Sequence, residues 1–139
     1  MKDNVVVRIS EVKRTYQMGT VEVNALRGIN LQIGRGEFVS IMGPSGCGKS
    51  TLMHIVGCLD RPSSGHVHLD EVDVDELDDN SLAEIRNKKV GFVFQTFNLL
   101  PKLNAVENVE LPLIYAGVNF EERRQKAAKL LETVGLKER

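Results

Sequence analysis

A short glycine-rich stretch constrains the fold of this chain more than any other feature. Residues 43–50 read Gly-Pro-Ser-Gly-Cys-Gly-Lys-Ser and fit the pattern G-x-x-x-x-G-K-[ST] at every fixed position. The short apolar run before it, Phe38–Met42, is bounded by glycines and has the character of a strand buried on both faces. Behind it, apolar residues recur at helical spacing from Ser50 to Leu59. This order of strand, loop and helix predicts an α/β fold.

The residue types in this stretch, the phosphate loop, suit a polyphosphate ligand. Glycines let successive amides converge on phosphate oxygens, and the following helix adds its positive end. We expect Lys49 to neutralise phosphate charge, the Ser50 hydroxyl to ligate Mg²⁺, and Thr51 to supply a further donor. A glycine-rich turn that merely contains a lysine is the alternative, and the flanking elements argue against it. The predicted nucleotide contacts are Gly43, Pro44, Ser45, Gly46, Cys47, Gly48, Lys49, Ser50 and Thr51.

Strand patterns flank the phosphate loop on both sides. Val5–Ile9 and Ile29–Ile33 alternate like half-buried strands, and Gly65–Leu69 reads as a further strand. Val90–Phe94 has the character of a second buried strand and ends at Gln95. These patterns predict a small sheet near the N-terminus and a buried core around the loop.

The remaining elements are predicted helices with recognisable ends. Ser81 with Glu84 matches a capping box, which predicts a short helix to about Lys88. The cap spacing recurs twice downstream, and the last helix carries one apolar stripe and a C-terminal glycine. The residues concerned are Asn104 with Glu107, Asn119 with Glu122, the stripe Ala127, Leu130, Leu131 and Val134, and Gly135.

Composition excludes several classes of function. The 18 Lys and Arg residues nearly balance 19 Asp and Glu residues, so the charge does not favour a nucleic-acid partner or an anionic membrane. Two cysteines, Cys47 and Cys58, cannot form a disulfide framework, which indicates a reducing, cytoplasmic setting. The acidic residues between 70 and 79 lack the glycine and glutamate of a calcium loop, so we interpret them as a solvated turn. The histidines show no metal-ligand spacing with the cysteines, and we assign them no chemistry.

Four segments around the phosphate loop identify the nucleotide hydrolase that the chain resembles. No Asn-Lys-x-Asp guanine reader is present in the sequence, which argues against a GTPase. The chain is similar to the ATP-binding subunit of ATP-binding cassette (ABC) transporters, above all the macrolide-export and lipoprotein-releasing branch. The segments that carry the resemblance are Leu59–Gly65, Gly91–Gln95, Phe97–Pro101 and Glu107–Leu113.

The resemblance implies further roles. Tyr16 matches the aromatic residue that stacks on adenine, and Gln95 matches the residue that touches Mg²⁺ and the attacking water. Lys49 and Gln95 are therefore the expected catalytic residues, and Ser50 and Gln95 the expected metal ligands. The cofactors implied are ATP and Mg²⁺. The implied partners are a transmembrane permease subunit and a second copy of the ATP-binding subunit, at the inner face of the cell membrane.

The resemblance also implies an incomplete fold. We expect a P-loop core with a small antiparallel N-terminal sheet over residues 1–95, and the start of a helical subdomain over 96–139. The family's signature, its catalytic Glu and its switch histidine have no counterpart in the 139 residues. We therefore expect the chain to resemble a fragment that leaves apolar surface unburied and, by itself, does not turn ATP over, while the parent protein is the ATPase.

Two alternative functions and the role of one segment are left to consider. A binding module that holds nucleotide without hydrolysis fits the chain taken alone. A DNA-maintenance ATPase shares the glutamine loop but would show heptads after Gln95, and none is present. The apolar segment Phe97–Tyr115 is a candidate partner-facing groove, or in part the plain core of the helical subdomain.

Overall fold

A long antiparallel hairpin forms one side of the sheet. The computed structural model describes residues 4–137, so residues 1–3 and 138–139 of the predicted range lie outside it. Two units are distinguished, Met1–Arg86 and Asn87–Arg139. The elements are β1 (Val5–Met18), β2 (Val21–Gly34), α1 (Lys49–Val56), β3 (Ser64–Leu69), β4 (Val72–Asp73), α2 (Asp79–Lys89), α3 (Ala105–Tyr115) and α4 (Phe120–Thr133).

The sheet of the first unit has four antiparallel strands in the order β2-β1-β3-β4. β1 and β2 are paired from Val5 opposite Gly34 to Met18 opposite Val21, well beyond the two short alternating patterns in the sequence. The other edge of β1 holds β3, with Ile9 opposite Val67. The predicted α/β fold with an antiparallel N-terminal sheet is confirmed.

One face of this sheet and one face of α1 supply the core of the first unit. Alternation along β1 and β3 places their apolar side chains on a single face, which is buried. Leu52 and Ile55 of α1 are buried in the same unit. The buried apolar residues of the unit are Val7, Ile9, Val12, Leu26, Leu52, Ile55, Cys58, Val67, Leu69, Val74 and Leu82.

Two predicted buried strands, Phe38–Met42 and Val90–Phe94, are wrong as strands in this structure. Neither segment pairs with a strand in the described chain, and both are irregular. Their side chains are largely exposed: Phe38 is 96% exposed, Met42 86% and Val93 101%. An apolar run becomes a strand only when a neighbouring strand takes up its backbone hydrogen bonds, and neither segment has such a neighbour among residues 4–137. The expected unburied apolar surface is present.

The helix α2 begins two residues before the predicted cap. Asp78, not Ser81, lies at its start and accepts a hydrogen bond from the Ser81 amide at 2.7 Å. Hydrogen bonds from the Ser81 hydroxyl and amide lower the pKa of the Asp78 carboxyl. Two cap-forming residues three positions apart compete for the same helix end, and the earlier one prevails here.

The second unit contains α3 and α4, whose predicted beginnings are confirmed. Asn104 and Glu107 form a complete capping box at α3, and the Asn119 side chain accepts from the Glu122 amide at α4. Gly135 follows α4 with a φ of 78°, as the predicted C-terminal glycine should. The predicted apolar stripe is only partly correct, because Ala127 is buried but Leu130 and Val134 are exposed.

No helix within residues 4–137 combines the length and the apolar character that a membrane crossing requires.

Candidate phosphate-binding site

The phosphate loop leads directly into α1. Gly48 precedes the helix in the left-handed region, with a φ of 81°, and Gly46 also has a positive φ of 77°. L-residues with a side chain rarely adopt this backbone, so glycine at both positions has a conformational reason. Glycine at positions 46 and 48 therefore allows the backbone of the loop to change direction twice before α1 begins.

Gly48 has a second, steric reason to be glycine. A Cβ atom there would lie 2.3 Å from the carbonyl oxygen of Ala25 in β2 and 3.1 Å from a methyl group of Leu26. Both distances are shorter than van der Waals contact, and the first involves main-chain atoms. The start of α1 thus lies directly against the backbone of β2.

The amides of the loop are mostly free to bind a ligand. The Cys47 amide donates to the Pro44 carbonyl at 3.4 Å, closing a turn. Within residues 4–137 the amides of Gly46, Gly48, Lys49 and Ser50 have no acceptor. The first amides of a helix lack partners and carry partial positive charge, which suits them to anions. These free donors fit the phosphates predicted from the sequence.

Lys49 folds back over its own loop. Its ammonium donates to the carbonyl oxygens of Gly43 and Pro44, each at 3.0 Å, and lies 3.9 Å from the Cys47 sulfur. It forms no ion pair with any acid in the described chain. The ammonium is therefore held beside the free amides by neutral oxygens that a phosphate can replace.

A cavity of about 550 Å³ opens between the loop and β2. This volume is in the range of ordinary small-molecule sites. Two cationic side chains line it, Lys49 and Arg27, together with one acid, Glu22. The lining consists of Ser45, Gly46, Gly48, Lys49, Ser50 and Thr51 from the loop and α1, and Glu22, Val23, Asn24, Ala25 and Arg27 from β2.

The β2 wall was missed by the sequence analysis. The residues Glu22, Asn24 and Arg27 carry no motif, and they reach the loop only because the β1–β2 hairpin is long. The sequence signal that could have revealed the hairpin is Gly19, because glycine often forms the turn between two strands. In the structure Gly19 has a φ of 63°.

Ser50 fits the predicted role of a metal ligand. It lies in the first turn of α1, is exposed, lines the cavity, and its hydroxyl makes no hydrogen bond within the described chain. A free hydroxyl beside the phosphate cradle is a suitable oxygen ligand for Mg²⁺. Gln95 belongs to the second unit, where it is exposed in a bend after residues 90–94.

Tyr16 does not line the cavity. It lies near the end of β1, opposite Val23, and is half-buried. Its hydroxyl donates to Asp60 Oδ2 at 2.8 Å, and the Arg14 guanidinium lies 4.5 Å from the centre of its ring. Its cross-strand neighbour Val23 is part of the cavity wall.

A second group of polar side chains lies on the β3–β4 hairpin. Possible ligand atoms of His66, Asp73 and Asp75 lie within 4.8 Å of one another. Both Asp75 oxygens accept from the Val67 amide at 3.1 Å, and Asp73 accepts from the Asp75 amide at 3.1 Å. Burial, and then repulsion from Asp73, raises the pKa of Asp75 against these bonds. The carboxylates close the hairpin, and we assign them no chemistry.

The chain as a whole is similar to known proteins of one family. The family model described as ABC transporter matches residues 26–139. An uncharacterised ABC transporter ATP-binding protein of Thermotoga maritima is 54% identical over 134 residues, covering 96% of this chain and 57% of that protein. A macrolide export ATP-binding/permease protein, MacB, of Syntrophobacter fumaroxidans is 50% identical over 95% of this chain and 19% of its own length.

A solved structure is also similar. It is the dimeric ATP-binding cassette MJ0796 of Methanocaldococcus jannaschii in a post-hydrolysis state, bound to ADP and Pi. It matches with a TM-score of 0.83 and 52% identity, over 91% of this chain and 56% of that one. This chain thus spans little more than half the length of such ATP-binding relatives. On the loop geometry, the family match and these relatives together, the chain belongs to the ABC transporter family, among its ATP-binding proteins.

Proposed function

We propose that the chain binds Mg-ATP through the phosphate loop and serves as the ATP-binding part of an ABC transporter ATPase. The observation that carries this proposal is the Lys49 ammonium, which has no acidic partner in the described chain and lies beside four free amides at a cavity of about 550 Å³. A triphosphate supplies the negative charge and the acceptor oxygens that this arrangement lacks.

The loop residues have separate tasks in this proposal. The amides of Gly46, Gly48 and Ser50 would hold phosphate oxygens, and Lys49 would offset charge on the β- and γ-phosphates. The Ser50 hydroxyl would hold Mg²⁺, which lowers the charge repulsion at the transferring phosphoryl group when bound. Gln95 is the proposed second metal contact and water-orienting residue, since an amide offers both an acceptor and donors. Tyr16 is the proposed platform for adenine.

The proposed partners follow from the relatives. The MacB relative is named as an ATP-binding/permease protein, and the cassette from Methanocaldococcus jannaschii was solved as a dimer. We therefore propose a transmembrane permease partner, pairing with a second ATP-binding copy, and a place on the cytoplasmic face of the membrane. The work done by ATP would be export or extraction of a substrate by that permease.

Calorimetry with Mg-ATP tests the proposed site. Lys49→Ala should abolish measurable binding, a loss of at least about 100-fold, because charge-assisted contacts to two phosphates disappear. Lys102→Ala is the matched control, since it removes an exposed lysine of the second unit that does not line the cavity. Unchanged affinity in Lys49→Ala, with the control equal to the parent, would show that the phosphate loop is not the binding site.

A further inference from the structure

Tyr16 is held in place by two side chains, Arg14 and Asp60. The Tyr16 hydroxyl donates to Asp60 Oδ2 at 2.8 Å, and the Arg14 guanidinium covers one face of the ring at 4.5 Å from its centre. Arg14 also donates to Asp60 Oδ1 at 2.7 Å. The three side chains therefore form a closed triangle, which we call the Tyr16 clamp.

Burial makes these contacts stronger than ordinary surface contacts. The side chains of Arg14 and Asp60 are only 23% and 24% exposed. Asp60 Oδ1 accepts a further hydrogen bond from the Arg61 amide at 2.8 Å, so both oxygens of the carboxylate are occupied. Charge-assisted hydrogen bonds of this length, shielded from water, restrict rotation of the groups that they join. The phenol tip and one face of the Tyr16 ring are thus fixed.

Asp60 is itself fixed by main-chain bonds. At the end of α1 the amides of Leu59 and Asp60 both donate to the His54 carbonyl, at 2.8 and 3.2 Å. Farther along, the Ser63 amide donates to the Lys13 carbonyl of β1 at 2.8 Å. The segment that carries Asp60 is therefore attached to α1 at one end and to β1 at the other. The helix that begins at Lys49 ends beside the clamp.

We propose that Asp60 and Arg14 are positioning residues for the base of the nucleotide. Because the guanidinium occupies one face of Tyr16, a purine can stack only on the opposite face. Because Asp60 holds the hydroxyl, the ring is oriented before the nucleotide arrives, which lowers the entropy cost of stacking. This inference rests on the proposed function, since it assigns base recognition to the same ATP site.

The affinity for ATP relative to inorganic tripolyphosphate measures this role. In the full chain with Mg²⁺, Tyr16→Ala should weaken ATP by about tenfold, the upper range for an aromatic pair, and leave tripolyphosphate unchanged. Asp60→Ala should weaken ATP by about threefold to fivefold, also without an effect on tripolyphosphate, because a mobile ring stacks less well. Asp79→Ala is the matched control: Asp79 also pairs with an arginine, Arg61, but does not touch Tyr16.

Tyr16→Phe protects this test against misfolding of the Asp60 variant. Tyr16→Phe removes only the hydroxyl that donates a hydrogen bond to Asp60, and it keeps the ring. It should therefore lower the affinity for ATP, as Asp60→Ala does. Urea unfolding of each variant reports whether the first unit is intact. Equal losses for ATP and tripolyphosphate in Asp60→Ala and Tyr16→Phe would overturn the positioning role.

Tyrosine emission gives an independent measurement of the ring. The chain has two tyrosines and no tryptophan, so Tyr115→Phe leaves Tyr16 as its only strong fluorophore. ATP should quench this emission and tripolyphosphate should not, and Asp60→Ala in this background should reduce the quenching at saturating ATP. Quenching that is identical with and without Asp60 would contradict the inference. Loss of both ligands in Lys49→Ala would still support the phosphate site, so the two proposals fail separately.

Discussion

The two units of this chain are stabilised in different ways. In the first unit, apolar side chains from β1, β3 and α1 meet in a buried core. In the second unit, Ala127 is the only fully buried apolar residue among those described, and the buried Glu110 lies between two arginines. In the second unit, the caps and ion pairs of α3 and α4 supply stabilising contacts, whereas stabilisation of the first unit comes mainly from buried apolar side chains. Long-range burial thus supports the phosphate loop, while local polar contacts support the helical unit.

The largest effect is expected from a core residue of the first unit. Ile55 is 1% exposed on α1, six residues after Lys49. Ile55→Ala should lower the free energy of unfolding by about 2–5 kcal/mol, because it removes buried methylene groups and leaves a cavity. Urea unfolding measures this. Leu130→Ala, at a site that is 57% exposed in the second unit, should cost far less, and equal losses would contradict the contrast between the units.

A smaller effect is expected from the buried carboxylate of the second unit. Glu110 lies 3.5 Å from Arg123 Nε and 3.7 Å from an Arg124 nitrogen. Glu110→Gln should destabilise the α3–α4 pair by about 1–3 kcal/mol, because Arg123 keeps its charge without a counterion. Hydrogen exchange of α3 and α4 amides is the measurement. Glu122→Gln, which breaks the exposed pair with Lys126, is the control and should change exchange little.

The smallest effect is expected from a helix cap. Asn104→Ala removes the side chain that accepts from the Glu107 amide at 2.9 Å and should cost about 1 kcal/mol. Amides in the first turn of α3 should exchange faster, while those of α4 keep their protection. Asn119→Ala should produce the reverse pattern. If either change loosened both helices equally, the second unit would be more cooperative than its local contacts indicate.

The features that could be predicted from the sequence are those that residues close together in the chain determine. The Asn104 cap and the helix after the phosphate loop depend on residues that are close together in the sequence, and the structure has both where they were predicted. The strand predictions at Phe38–Met42 and Val90–Phe94 failed because a strand also needs a partner from elsewhere in the chain. Local chemistry alone cannot supply that partner.

The walls of the site show the same limit. Arg27 faces the loop through the register of the hairpin, and Asp60 meets Tyr16 across 44 positions of sequence. Neither residue belongs to a sequence motif. The pairing register of β1 is interrupted by several bulges, and a short sequence pattern does not predict such a register. The motif therefore pointed to the loop side of the cavity, and the structure was needed for the opposite wall.

The close approach of Gly48 to the Ala25 carbonyl has a mechanical consequence. With no side chain between them, the start of α1 and the middle of β2 meet without a deformable layer. A displacement of β2 would therefore shift the phosphate loop at Gly48 almost directly. Because the contact is between main-chain atoms, a small displacement of either element cannot be absorbed by a side-chain rotation and has to move the other backbone.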